Sequence, residues 1–534
     1  MAVIDIAQFA GERPQVHKTK LPVYQAQIAR NVVLQSGVLE PLRADKFIQP
    51  LSSAPGTIFK YRDSAAGPVW FEWNGLVDVV RSPVRSDPYG RVYIVGDGYP
   101  KVTDATRATG AAGPFPVATL RLGVPAPDAP TVVVNGSPSN PNDVGESRAY
   151  VVTYVNSYNE EGPPSAPSPV IVVRPGQYAD VGLPGPPAGS YDITTIRVYR
   201  SNGTGASALF QFVTEVPVST PSVTDTVSVL GEALPSAEWD PPPDDMVGLV
   251  GMPGGFLVGF RNNELIPSEV GLPHAYPVRY RFSVDSKIVG LGVFGNTLVI
   301  LTDEQPLIAT GTHPGSLTVT KTGVLQACVS RAGIVNLGYG VVYPSPEGLI
   351  LVSSEGARLI TEGIITRDQW QALSPDTLRA SVWRGLYLAY YNNGGFVFNP
   401  RQPEAGFVFI DKPKMQVSRG YYDAEKDLTY LAIGSDLYEA GEGANRLYVW
   451  RSGQFDVGAY VYMGVVQVFA DEYPVTVNLF GDDELLASLV VGDDVPRRFK
   501  RHRRARRYEV EVVSATTVYR VRCASTMAEL KEVA

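Results

Sequence analysis

Metal and nucleophile chemistry needs its groups close together, and in this chain they are scattered. The histidines His17, His274, His313 and His502 lie far apart, and neither a His-x-x-His nor a Cys-x-x-Cys pair occurs. Zinc sites draw on such spacings, so no metal is expected. Cys328 and Cys523 follow apolar alternation and read as small core hydrophobes. A phosphate cradle needs a glycine-rich loop that opens a helix. No Gly-Lys-Ser/Thr occurs, and Gly338-Tyr-Gly340 and Gly96-Asp-Gly98 read as turns between strands. The Gly-x-Ser-x-Gly elbow of a serine nucleophile is missing. Glycoside hydrolysis would need two positioned carboxylates. Asp303, Glu304, Asp482 and Asp483 are candidates by type, but they sit in loop-like stretches without a repeated aspartate box. The expectation is a chain with no catalytic residue, no cofactor and no metal.

One cluster is dense enough to matter. Arg497, Arg498, Lys500, Arg501, Arg503, Arg504, Arg506 and Arg507 place eight positive charges in eleven residues, and removing them takes the formal charge from −8 to −16. Neutralising several phosphates would give strong, salt-dependent nucleic-acid binding. A solvated or internally paired turn is the plainer reading. A subunit interface is the third, because the acidic runs Asp482-Asp-Glu484 and Asp493-Asp494 flank the cluster and offer an unlike patch to a neighbour. The global charge gives no reason to bind nucleic acid.

The elements that must carry these residues are strands. Gly (52) and Pro (44) make up 96 of 534 residues, or 18%, against about 12% in ordinary usage. A helical bundle does not tolerate so many breakers. With 44% hydrophobic and 19% charged residues the chain is also unlike a disordered one. Two cysteines make no disulfide framework, no basic-then-apolar leader opens the sequence, and no apolar run reaches 18 residues. An all-β, multidomain, soluble protein made in a reducing compartment is expected.

Four regions follow from turns and proline clusters. Residues 1–125 form an N-terminal β region, expected to act as a platform packed with the C-terminal module. It holds one short helix over 24–34, where Ile28, Val32 and Val33 recur at helical spacing, and a hairpin turning on Asn74-Gly75 between 69–73 and 77–80. The proline-rich stretch 124–130 closes it. Residues 126–236 carry strands at 149–155, 195–200 and 209–216, with a proline-rich loop at 159–168, in an order resembling a fibronectin type III sandwich without its usual core tryptophan. Residues 237–455 repeat a glycine-led apolar strand at Gly255, Gly295, Gly348, Gly385 and Asp427, with spacings of 40, 53, 37 and 42. A period of 40–50 with three or four short strands per unit is the mark of β-propeller blades, whereas further sandwiches would not require a repeat. Thr366 and Gln369 form a capping box that opens a helix at Trp370. Residues 456–534 make a last β module.

Several fragments, in order along the chain, resemble the tail nozzle (tail tubular or hub) proteins of short-tailed bacteriophages. They begin with Phe9-Ala-Gly-Glu-Arg-Pro14 and Asn31–Pro41, then Trp73, Asp78-Val, Ser82-Pro and Tyr99-Pro100. The most specific run holds Pro241-Pro-Pro, Gly254-Gly-Phe-Leu-Val-Gly-Phe260, Pro267-Ser-Glu269 and Leu272-Pro-His-Ala-Tyr-Pro277. Gly311-Thr-His-Pro314, Ser345-Pro-Glu-Gly348, Trp370 and Cys523-Ala-Ser-Thr-Met-Ala-Glu-Leu530 complete it. The resemblance implies a structural virion protein: a hexameric ring below the portal and adaptor, attaching tail fibres or spikes, with genomic DNA passing through its lumen without sequence-specific binding. It further implies assembly in the host bacterial cytoplasm, no membrane-spanning segment, and 126–236 as an insertion decorating the propeller. The rival readings are a glycan-binding or glycan-degrading tail protein and an unrelated extracellular adhesion protein.

Overall fold

A strand covered on both faces is apolar at every position, and its alternate residues must serve two different cores. The middle of this chain is built that way. In the strand Thr297–Thr302, Leu298 and Ile300 join one buried cluster while Val299 and Leu301 join another. The computed structural model describes residues 3–64, 67–201, 203, 209–413 and 415–532. It is almost entirely β, in many small antiparallel sheets. Among the described residues the α-helices are Ala105–Thr109, Arg367–Gln371 and Met527–Glu532, and no helix is long and apolar enough to cross a membrane.

Seven sheets share cores in sequence. The first holds Asp78–Arg81, Val92–Val95, Lys101–Thr103 and Leu120–Arg121. The second begins with Val247–Met252, the third with Ile288–Phe294, the fourth with Val335–Asn336 and the fifth with Arg379–Trp383, each followed by three more antiparallel strands. The sixth joins Tyr421–Asp423, Leu428–Ile433 and Asp436–Glu439 to Lys46–Pro50. The seventh is the hairpin Thr57–Ser64 with Gly67–Trp73. Leu257 and Ile266 of the second sheet pack with Tyr93 of the first, and Phe256 and Val258 pack with Leu298 of the third. Val341 and Val342 of the fourth face the third and fifth respectively. Leu388 of the fifth meets Leu431 of the sixth, and Leu437 of the sixth meets Trp70 of the seventh. Phe71 of the seventh then meets Val92 of the first. The succession of cores returns to its start.

Residues 131–225 leave this circuit after the first sheet and re-enter it at the second. Thr131–Asn135, Tyr178–Gly182 and Ser222–Asp225 form one sheet; Tyr150–Asn156, Ile193–Ser201 and Phe210–Pro217 form another. They enclose a common core around Tyr150, Val152, Val181 and Val198. At the other end of the chain, Val3–Ile6, Val465–Ala470 and Val518–Ala524 pair in a sheet that packs over Val475–Gly481 and Ala505–Ser514. The second of these layers is continuous with the fifth sheet. Ala26–Arg30 pairs in parallel with Phe407–Ile410 on one side and antiparallel with Tyr448–Ser452 on the other.

Four expectations change. Residues 24–34 are strands, Ala26–Arg30 and Val32–Val33, not a helix. Two sheet edges claim that backbone, and Asn31 breaks it at φ 56°, so tertiary pairing overrides local spacing. The strands at Gly67–Trp73 and Asp78–Arg81 exist, but they pair with different partners rather than with each other across Asn74-Gly75. Residues 46–121 lie within the circuit, and only residues up to about Leu39 join the C-terminal module, because Lys46–Pro50 completes the sixth sheet. In the fourth sheet Gly348 leads the third strand, whereas the second begins at Gly340. Counting from Gly340 makes the intervals from Gly295 and to Gly385 both 45 residues.

Candidate functional site

The chemistry-bearing residues do not converge. His17 and His313 cap short 3-10 turns, accepting from Thr19 N and Gly315 N. His502 stacks on Tyr462 with its Nε2 2.8 Å from Met463 O. His274 is buried with Nε2 3.1 Å from Glu161 O, and burial holds its pKa below the usual value. Among the described residues no group of three or more His, Cys, Asp or Glu is placed to hold a metal. Cys328 and Cys523 are buried thiols. Asp483 pairs with Lys18, Asp482 lies 3.7 Å from Arg507, and Glu304 accepts from Ser286. Asp482 and Asp483 have φ 49° and 72°, the two left-handed positions of a type I′ turn, in which Asp is tolerated.

The basic segment 497–507 connects the edge strand Arg497–Arg498 to the long strand Ala505–Ser514. Phe499, Ala505 and Tyr508 anchor it inward, so the charged residues between them face outward. Half of the cluster is paired within the chain. Arg497 meets Asp493, Arg503 meets Glu484 at 2.9 Å, Arg506 meets Asp456 at 3.0 Å, and Arg507 meets Asp482. Arg498, Lys500, Arg501 and Arg504 are exposed, with no ion pair among the described residues. Motif reading isolated the cluster without separating these two sets, since their partners lie 4 to 50 residues away.

A different constellation, which motif reading did not single out as a site, sits where the inner strands of the circuit meet. A cavity of about 320 Å³ is bordered by the starts of the first, second, third and seventh sheets, by Ile334 and Asn336 of the fourth, and by residues 419–422 leading into the sixth. The Asp78 carboxylate is part of the lining. Its Oδ1 accepts from Arg419 Nη1 at 2.9 Å, and its Oδ2 accepts from Arg331 Nη2. Arg331 also lies over the Phe260 ring, 5.7 Å from its centroid. Thr57 sets the position of Asp78: its hydroxyl donates to Gly75 O and accepts from Val77 N, while its backbone bridges to Arg419. Asp78 is the single acidic residue among the described lining residues of this cavity. Three distant parts of the chain are thus tied at the centre by one carboxylate.

The sandwich of residues 131–225 is fixed to the circuit by the proline-rich loop. Glu160 meets Arg91 of the first sheet at 2.5 Å, and Tyr158 donates to Asp104 at 2.6 Å. Glu161, buried, accepts from Thr153 and Arg197 on its own side. A charged joint of this kind fixes orientation, because a buried ion pair tolerates little displacement.

No family model matches the chain, and no curated protein matches it. Among solved structures, the glutaminyl cyclase of Myxococcus xanthus aligns over 46% of this chain and 84% of its own at 11% identity, with a TM-score of 0.19. The WD40 domain of Pan2 from Neurospora crassa aligns over 59% and 95% at 7% identity, with a TM-score of 0.25. Hsv2 from Kluyvelomyces marxianus aligns over 60% and 94% at 9% identity, with a TM-score of 0.24. Likenesses this slight carry no argument about function.

Proposed function

We propose that this chain is a structural subunit of a bacteriophage tail. Six copies form a nozzle ring that extends the DNA ejection channel below the portal and adaptor and carries fibres or spikes. In this reading the seven sheets are a β-propeller, residues 131–225 are a fibronectin III-like insertion, and the protein is not an enzyme. The observation that carries it is the way the modules are attached. The inserted sandwich leaves and re-enters the circuit at neighbouring sheets, and the terminal module continues the fifth sheet through Ala26–Arg30. A tube component needs this combination, a stiff body with docking modules that do not interrupt it, and an insertion decorating the propeller is what the resemblance to nozzle proteins implies. The four cations of 497–507 without an ion pair among the described residues supply one half of an unlike pair of patches, as a closed ring requires. Glycan cleavage gains nothing from the central cavity, where Asp78 is already held by two arginines and a second carboxylate is needed.

The experiment is imaging of the virion with a label on this chain. The label should lie in the tail below the portal with six-fold symmetry. A label on the capsid, absence from the particle or another symmetry overturns the reading.

A further inference from the structure

The segments that lead into four of the inner strands enclose a second, larger cavity of about 790 Å³. Leu76 reaches it from the first sheet, Arg331 from the fourth, Asp376 and Arg379 from the fifth, and Lys412 and Gln416 from the approach to the sixth. Arg331 borders both this cavity and the smaller central one. We call the larger space the mouth and the smaller one, which the Asp78 clasp borders, the neck.

The mouth is short of negative charge. Across mouth and neck the described charged residues are Arg331, Arg379, Lys412 and Arg419 against Asp78 and Asp376, an excess of two positive charges in a chain whose net charge is −8. Asp78 is already shared between two arginines. Arg379 finds only neutral oxygens: Nη1 donates to Val417 O at 3.1 Å, and the Gln416 side-chain oxygen accepts from both Nη1, at 3.0 Å, and Nη2. Lys412 is exposed and has no ion pair among the described residues. Burial pulls the Arg379 pKa below the usual guanidinium value, the direction expected of a cation that lost water and gained no counter-charge.

We propose that this mouth binds a small ligand bearing an oxyanion, a phosphate or a carboxylate, gripped by Arg379 and Lys412 with Arg331 at its floor. The Nε/Nη2 edge of Arg379, opposite the edge that Gln416 occupies, can meet such a group with two parallel hydrogen bonds, and lysine adds a mobile point charge. The excess positive charge raises the local concentration of an incoming anion. A volume of this size suits a small molecule, and Tyr391 and Asn392 among the lining residues add polar groups for the rest of it. The inference does not depend on the tail reading.

The test is calorimetric titration of the full chain at low ionic strength. Inorganic phosphate and glucuronate are the two oxyanion probes, and glucose is the neutral control. Saturable binding of at least one oxyanion is expected, one per chain, with none for glucose. Arg379→Gln and Lys412→Gln should each weaken it tenfold or more. Arg501→Gln with Arg504→Gln, on the basic segment, should leave it unchanged. Lys412 is exposed, so its variant remains informative if the Arg379 variant fails to fold. Binding of phosphate alone or glucuronate alone assigns the oxyanion. Absence of saturable binding for both, or loss through Arg501 and Arg504 instead of Arg379 and Lys412, overturns the proposal.

Discussion

Replacing Asp78 with Asn keeps the shape of the neck and removes its negative charge. Two guanidiniums from distant segments then face each other with nothing between them. The side chains of Asp78, Arg331 and Arg419 are only 14%, 19% and 27% exposed, so water compensates poorly. A unit charge pair at about 4 Å is worth roughly 4 kcal/mol at an effective dielectric constant of ~20. Breaking a fully buried pair costs about 3–5 kcal/mol. Partial exposure, and the freedom of two long side chains to swing apart, reduce this to about 2–4 kcal/mol, some thirtyfold to a thousandfold in the opening equilibrium. The assay is urea unfolding followed by tryptophan fluorescence, because Trp70, Trp370 and Trp383 are buried in the circuit. Hydrogen exchange should report first at Asp78–Arg81 and Tyr421–Asp423, the strands the clasp joins. Adding Arg419→Gln to Asp78→Asn should recover part of the loss, since one cation then remains where two were repelling. A single variant within 0.5 kcal/mol of the native chain, or strictly additive single effects, would refute the clasp as a tie across the circuit.

Three further outcomes are expected. Burial pushes the Glu12 carboxyl up to about 7, against the pull of the Ala29 N–H and of Arg30. The folded chain therefore holds this proton more tightly than the unfolded one, and stability falls as pH rises from about 4.5 to about 7, levelling off above. Glu12→Gln should remove that slope, so that its urea midpoint gains on the native chain between pH 5 and 8; parallel pH profiles would contradict this. Burial likewise pushes the Cys328 and Cys523 thiols up to about 12, so a disulfide reagent at pH 8 should label neither until denaturant is added, and rapid labelling of the native chain would show that they are accessible. Changing Arg498, Lys500, Arg501 and Arg504 to Gln should impair ring or tail assembly, as should high salt, while leaving the melting temperature of the isolated chain unchanged. Normal assembly with an altered DNA ejection rate would instead put the segment in the lumen.

Local chemistry was readable from the sequence wherever its cause is local. Apolar runs such as 297–302 were legible as strands behind glycine-led turns, and the structure adds that both faces are covered by different cores. Thr366 and Gln369 announced their helix because both halves of a capping box lie within four residues, and both bonds are present. The loop at 159–168 was legible as a non-strand from its prolines. Partner choice was not legible. Residues 24–34 have helical spacing, yet they become strands because two sheet edges, near 407 and 448, need a backbone between them. Lys46–Pro50 completes a sheet whose other strands begin at 421. Asp78 looked like one more polar residue at a strand start, and its two arginines stand 253 and 341 positions away. The split of the basic cluster into paired and free halves also depended on where Asp456 and Asp482 were folded to. Period-two hydrophobicity and turn residues decide that a segment is extended; which edge it joins is decided by burying both faces at once, an energy that exists only when the distant sheets are in place.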